Sequence, residues 1–329
     1  MTKKVLKAAG SAWGQRIIVL ALICIVMAVM ESRFFRAANA KSILLAISVN
    51  GIMACGMLFT VLVGGMDLSV GSMAGISAAI VFVITKADGY SSISFLYGCA
   101  VALALCLVAG FINGFFVTYF GLPAFVVTLA LKYVLYGCIY IVTQGAYVMP
   151  PSQSMASRFG NGNVSGIPMP VLLFIIVVIA SVFILGFTTY GRRLYAIGGN
   201  KNVANLAGVK SNLNTRIAYM ISSVLAGLGG VLLASMNGQA GQSTASGYEG
   251  NVLMAMVVGG INLAGGEGGV PGAVFGALLV GIINNALLFL SVSSDYLKFV
   301  QGIVILAAMT LNMYASRISA GVLSVRKKA

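Results

Sequence analysis

The sequence predicts an all-α polytopic membrane protein, and three observations carry that reading. Of the 329 residues, 60% are hydrophobic and only 8% are charged, more apolar surface than a water-soluble domain of this size can hide. The apolar residues gather into runs near the length of a bilayer crossing, about 20 residues. The basic residues fall unevenly into the breaks between those runs, as topology signals do.

At the N-terminus, Lys3, Lys4, Lys7 and Arg16 frame an apolar run over 17–30, and Ala38-Asn39-Ala40 imitates a signal-peptide cleavage pattern. Glu31, Arg33 and Arg36 separate the two, so the run reads as an uncleaved first span. Further spans are expected at 42–63, 68–85, 95–119, 123–143, 170–188, 214–235, 252–262, 271–290 and 297–314, about ten in all. The segment 252–262 is too short to cross alone, and Gly64-Gly65-Met66-Asp67 interrupts a would-be hairpin. Both are read as re-entrant or broken within the membrane. Small residues at Gly110 and Gly114, at Gly272 and Gly276, and over 226–230 predict closely packed helix pairs.

With the N-terminus inside, thirteen of the 20 basic residues face inward, six face outward and Lys132 lies within a span. That bias predicts an inner (cytoplasmic) membrane protein with both termini cytoplasmic. The chain is read as one transmembrane domain over 1–329, with an external surface loop at 144–169 marked by Pro150, Pro151 and Pro168. The net charge of +14 comes from scattered residues with no basic stripe interleaved with aromatics, so nucleic acid is excluded as a partner. The five cysteines sit in apolar stretches without a C-x-x-C pair and read as packing residues. Histidine is absent, which removes the commonest general base and metal ligand. No G-x-x-x-x-G-K-S/T loop is present to hold ATP, and no cofactor is implied.

A polar island organises the chain. Residues 190–210 read YGRRLYAIGGNKNVANLAGVK, between two long uncharged runs, with Arg192, Arg193, Lys201 and Lys210 unopposed by any acid. On charge alone it is an ordinary inner loop. It also has helix-forming content: Asn200 or Asn202 suits the cap of a short helix ending near Gly208. Such a helix, pinned between two spans, is a handle for a soluble partner. A second signal is an internal echo, in which VGGMDLSVG (63–71) resembles VGGINLAGG (258–266). This predicts an internal repeat with broken helices near a substrate path.

Few residues carry chemistry. Asp67 is read either as a cap of a helix starting at Leu68 or as a carboxylate facing a path. Glu267 is expected in an inner turn, solvated. Lys132 lies mid-span and needs an acid, carbonyls or water, with snorkelling as the alternative. Asn50, Asn113, Asn284 and Asn285 either line a path or join two helices.

Four motifs in order carry a family resemblance over about 43–314: GGMDLSVGS (64–72), GLPAFVVTL (121–129), YGRRLYAIGGN (190–200) and the diglycine run 258–269. Together they resemble the permease subunits of bacterial ABC importers for ribose, galactose and related sugars. The resemblance implies a type II importer fold and, as partners, ATP-binding cassette ATPase subunits, a periplasmic sugar-binding protein and a second permease, a copy or a relative. It makes 190–212 a coupling loop, with a coupling helix at 201–209 seated on the ATPase. The coupling set is then Arg192, Arg193, Gly199, Asn200, Lys201, Asn202, Ala204, Asn205 and Gly208. The path candidates are Asn50, Asp67, Ser69, Asn113, Lys132, Tyr136 and Asn284. The chain departs from the family where YEGN (248–251) replaces Y-E-L-D and where Tyr136 stands for an arginine. Lys132, one helical turn earlier on the same face, is expected to supply the displaced charge. An ion-driven secondary transporter or channel is the alternative, served only by Asp67 and Lys132. A membrane enzyme comes last, for want of histidine and paired carboxylates.

Overall fold

A computed structural model describes residues 12–290 together with Tyr296, Phe299, Gly302, Ile303, Leu306 and Thr310. Most of the expected span 297–314, and the basic residues Lys3, Lys4, Lys7, Arg317, Arg326, Lys327 and Lys328, lie outside the described residues. Helix α1 (Ala12–Met30) leads through a 3-10 turn (Ser32–Phe35) into α2 (Ala37–Leu62). Then follow α3 (Val70–Ala87), α4 (Ser92–Tyr119) and α5 (Ala124–Thr143). A short helix α6 (Met155–Asn161) and an antiparallel pair, β1 (Asn163–Val164) with β2 (Ile167–Pro168), precede α7 (Met169–Phe187). Two short helices, α8 (Thr189–Gly199) and α9 (Lys201–Leu206), lead to α10 (Ser211–Asn237), α11 (Tyr248–Val258) and α12 (Val270–Phe289). Among the described residues, seven helices (α2, α3, α4, α5, α7, α10 and α12) are long and apolar enough to cross a membrane.

The bundle is built around α2, α3 and α10, whose spans are mostly buried, while α4, α5 and α7 turn apolar faces outward. Small residues set the crossings, as expected. A Cβ on Gly110 would lie 2.6 Å from the Tyr219 carbonyl oxygen, and one on Gly114 2.7 Å from the Arg216 Cα, so α4 and α10 touch backbone to backbone. The bundle has two distinct ends. At one, Asn39 and Asn285 exchange hydrogen bonds of 2.9 Å and Phe34 packs on Phe289. At the other lie the island helices α8 and α9 and both diglycine segments.

Several expectations change. The segment 144–169 is not a bare loop. Ser154 Oγ accepts the Ser157 amide to start α6, and Val148 pairs with Ala240, which brings 238–247 to the same end. The helix expected from Leu68 starts at Val70, because Asp67 and Ser69 tie up the preceding turn with their side chains. The segment 190–212, read as a loop with one short helix, is mostly helical. Helix α11 has 11 residues, about 16 Å at 1.5 Å per residue, half of a hydrocarbon core of about 30 Å. The non-helical 238–247 leads into it, its buried residues tucked into the bundle and Gln242, Ser243 and Ser246 exposed. Ala240, Ala245 and Thr244 are all buried. The segment is therefore too short to cross alone, as its sequence indicated.

Candidate functional site

The site begins where the two echo segments meet. The first links α2 to α3 and the second links α11 to α12. The Gly266 amide donates to the Leu62 carbonyl at 2.9 Å, so the end of α2 is fastened to the second segment. Gly64 (φ +76°) and Gly266 (φ +77°) hold left-handed turns there, which only glycine adopts without strain. The island docks on the same spot. A Cβ at Gly198 would fall on the Leu62 carbonyl oxygen and the Gly266 amide, so α8 lies directly against the junction. The Tyr195 hydroxyl donates to the Gly268 carbonyl at 3.0 Å, and partial burial raises its pKa.

The island itself folds as its caps dictate. The Asn200 side chain accepts the amides of Asn202 (3.0 Å) and Val203 (3.1 Å), which starts α9. Gly208, at φ +81°, closes it, with the Val209 amide on the Ala204 carbonyl at 3.0 Å. The helix ends at Leu206 rather than at residue 209. Ala204 is buried, whereas Arg192, Arg193, Gly199, Asn200, Lys201, Asn202, Asn205 and Gly208 are exposed. Val203 and Leu206, which sequence reasoning passed over, are exposed at 59% and 89%. Their i, i+3 spacing puts both on one face of α9. Two apolar side chains inside a polar run were the available signal.

Deeper in the bundle, three path candidates come together. Asp67 Oδ1 accepts the Ser69 amide (3.0 Å) and hydroxyl (2.6 Å), and Oδ2 accepts the Ser222 hydroxyl (2.8 Å) from α10. Asn113 Nδ2 donates to Ser69 Oγ at 3.0 Å. All four residues are fully buried, so Asp67 faces donors rather than water. Ser222 was not legible, because its partner is distant in sequence. Asn113 therefore joins α4 to the break. Replacing Asp67 by asparagine keeps an acceptor for Ser69 and is expected to cost less than about 1 kcal/mol. Alanine orphans buried donors at about 1–3 kcal/mol each. Thermal melts of the purified variants check the difference.

Lys132 and Tyr136 lie elsewhere, on α5. Lys132 Nζ meets Glu249 Oε1 of α11 at 2.6 Å, with side chains only 20% and 13% exposed. Lys132 is thus paired rather than snorkelling. Glu249 Oε2 has no partner among the described residues and lies against Gly71, where a Cβ would displace it. One turn before Lys132, Thr128 Oγ1 receives the Leu68 amide at 3.2 Å, fixing α5 to the first break. Tyr136 lines a polar pocket of about 390 Å³ with Gly145, Tyr147, Gln242, Ser243 and Ser246. Of the remaining candidates, Asn284 bonds Asn251 at 3.3 Å and acts between helices. Asn50 is buried, its Oδ1 without a partner among the described residues. Glu267 is exposed in the turn, as expected.

Comparison with known proteins agrees with this construction. Residues 39–309 match the family described as branched-chain amino acid transport system / permease component. The ribose import permease protein RbsC of Escherichia coli (strain K12) is 34% identical over 90% of this chain and 92% of its own length. The L-arabinose transport system permease protein AraH of the same strain is 34% identical over 94% of this chain and 93% of its own. The autoinducer 2 import system permease protein LsrC of Photorhabdus luminescens is 32% identical over 88% of this chain and 87% of its own. No solved structure matches significantly. A family match over most of the chain, on a helical bundle with this many apolar spans, means that the chain belongs to the permease components of this transport family, and is a multi-pass membrane transport subunit rather than an enzyme.

Proposed function

We propose that the chain is the permease subunit of an ATP-driven importer that takes a sugar from an external binding protein across the bacterial inner membrane. The island faces the cytoplasm, and α9 is the coupling helix on which an ATP-binding cassette ATPase acts. The observation that carries this is the docking of α8, at Gly198, onto the junction of the two broken segments. A push on α8 and α9 reaches α2, α3, α11 and α12 at one place. Alternating exposure needs two packings of the same helices, each favoured by a different nucleotide state. The relatives that carry ribose and L-arabinose support a pentose-like solute. A second permease copy completes the path, and 144–169 serves as the binding-protein face.

The ATPase groove receives Val203 and Leu206, with Arg192, Arg193, Lys201 and Asn205 at the rim, as apolar centres with polar rims are built. Leu206→Asp is expected to release the ATPase in co-purification while leaving the melting temperature of the free permease unchanged, because Leu206 is 89% exposed. Retention of the ATPase by Leu206→Asp places the contact elsewhere. Loss of binding even by wild type returns the ion-driven alternative to first place.

A further inference from the structure

The polar residues of α5 form a line. Thr128, Lys132 and Tyr136 are spaced four apart, so they stand one above another on one helical face. Each meets something different: the first break at Leu68, the carboxylate of Glu249, and the pocket lined by Tyr147, Gln242, Ser243 and Ser246. The pocket opens at the end that carries the β1–β2 hairpin, where Val148 and Ala240 pair and the Tyr147 and Ser243 hydroxyls bond. Ser246 lies three residues before Glu249, just ahead of the start of α11. Pocket, ion pair and break therefore succeed one another along α5.

We propose that this line is the passage site, and that it takes a neutral polyhydroxylated solute first in the pocket and then at the Lys132–Glu249 pair. The inference rests on the permease reading above and names where that cargo passes. The pocket volume, about 390 Å³, falls within the roughly 300–1,000 Å³ of small-molecule sites. Its side chains are uncharged: two tyrosine rings with hydroxyl tips, an amide and two serine hydroxyls, each able both to donate and to accept. The tyrosine rings supply flat faces for the C–H side of a sugar, and the polar groups meet its hydroxyls.

The ion pair suits the same chemistry. Lys132 has three donors and uses one on Glu249, while Glu249 Oε2 has none filled among the described residues. A hydroxyl that donates to Oε2 and a second that accepts from Nζ replace the direct bond without moving net charge. An anionic or cationic solute gains one of these partners and is repelled by the other. In the conformation described here the pair bridges α5 and α11 one helical turn along α5 from Tyr136. Parting the pair transfers the two charges from each other to the solute.

The test uses proteoliposomes that hold the permease, its ATPase and loaded binding protein, with labelled D-ribose and L-arabinose as probes. Gln242→Leu and Tyr136→Leu are expected to lower uptake per ATP hydrolysed by about tenfold, the scale of one lost discriminating contact. Tyr136→Phe, which keeps the ring, recovers most of the uptake lost in Tyr136→Leu. The double variant Lys132→Met with Glu249→Gln folds, stimulates, and still fails to carry the sugar. Uptake per ATP equal to wild type in Gln242→Leu, Tyr136→Leu and the double variant overturns the passage site and leaves the permease reading standing. A wild-type assembly that shows neither stimulation nor uptake overturns both.

Discussion

Replacing Gly198 by alanine is expected to disconnect the island from the bundle, with the loss of ATP-dependent uptake. The added methyl group has nowhere to go. Its position coincides with the Leu62 carbonyl oxygen and the Gly266 amide, which are hydrogen-bonded to each other. Both are backbone atoms, so no rotamer change relieves the contact. Overpacking costs about 1–3 kcal/mol, and a backbone clash sits at or above the upper end. The adjacent Gly199 is the control, because no other residue comes within 4 Å of a Cβ there. Alanine at 199 is expected to be neutral or to stabilise α8 by up to about 1 kcal/mol, as helix propensity dictates. Melting of the purified variants and uptake in proteoliposomes read both effects. Equal behaviour of the two variants removes the junction from the coupling route.

The second large effect is expected at Lys132. Lys132→Met leaves the Glu249 carboxylate 13% exposed and without its cation. Removing one partner of a buried pair typically costs about 3–5 kcal/mol. Glu249→Gln alone is expected to be destabilising for the mirror-image reason. Removing both charges together restores most of the loss, to within about 1 kcal/mol of wild type, because buried pairs are often no better than neutral replacements. A double-mutant cycle on melting free energies measures this coupling directly. Additive losses show that Lys132 and Glu249 act independently, and the pair then has no structural role.

Much of the fold was legible because lipid imposes long apolar runs, and their centres coincide with the helices. Helix α9 was legible from its own chemistry: Asn200 or Asn202 suited its cap and Gly208 its end, and Asn200 caps it. The boundary errors have local causes, as at Leu68, where Asp67 and Ser69 satisfy backbone and hydroxyl groups that a helix start would otherwise use. The site was legible by residue but not by partner. Lys132 announced a need for an acid, yet nothing along the chain says that α11 brings Glu249 rather than Asp67 to it. Likewise two adjacent glycines read alike in sequence, and only the crossing of α8 over the end of α2 separates the indispensable Gly198 from the free Gly199. The pocket-lining segment 238–247 has no periodicity to read, since its path is set by neighbours rather than by its own pattern.

Helix α11, with its 11 residues, bears on how the protein is made as well as how it works. A segment that reaches halfway across the bilayer is too short to partition from the translocon as an independent span. Its non-helical lead, 238–247, carries backbone groups that lipid leaves unsatisfied. Both are therefore expected to enter the membrane only in company, once α2 and α12, against which α11 packs, are there to receive them. The element that presents Glu249 to Lys132 thus depends on its neighbours for its place in the membrane, and the ion pair forms only when α5 and α11 are both in position.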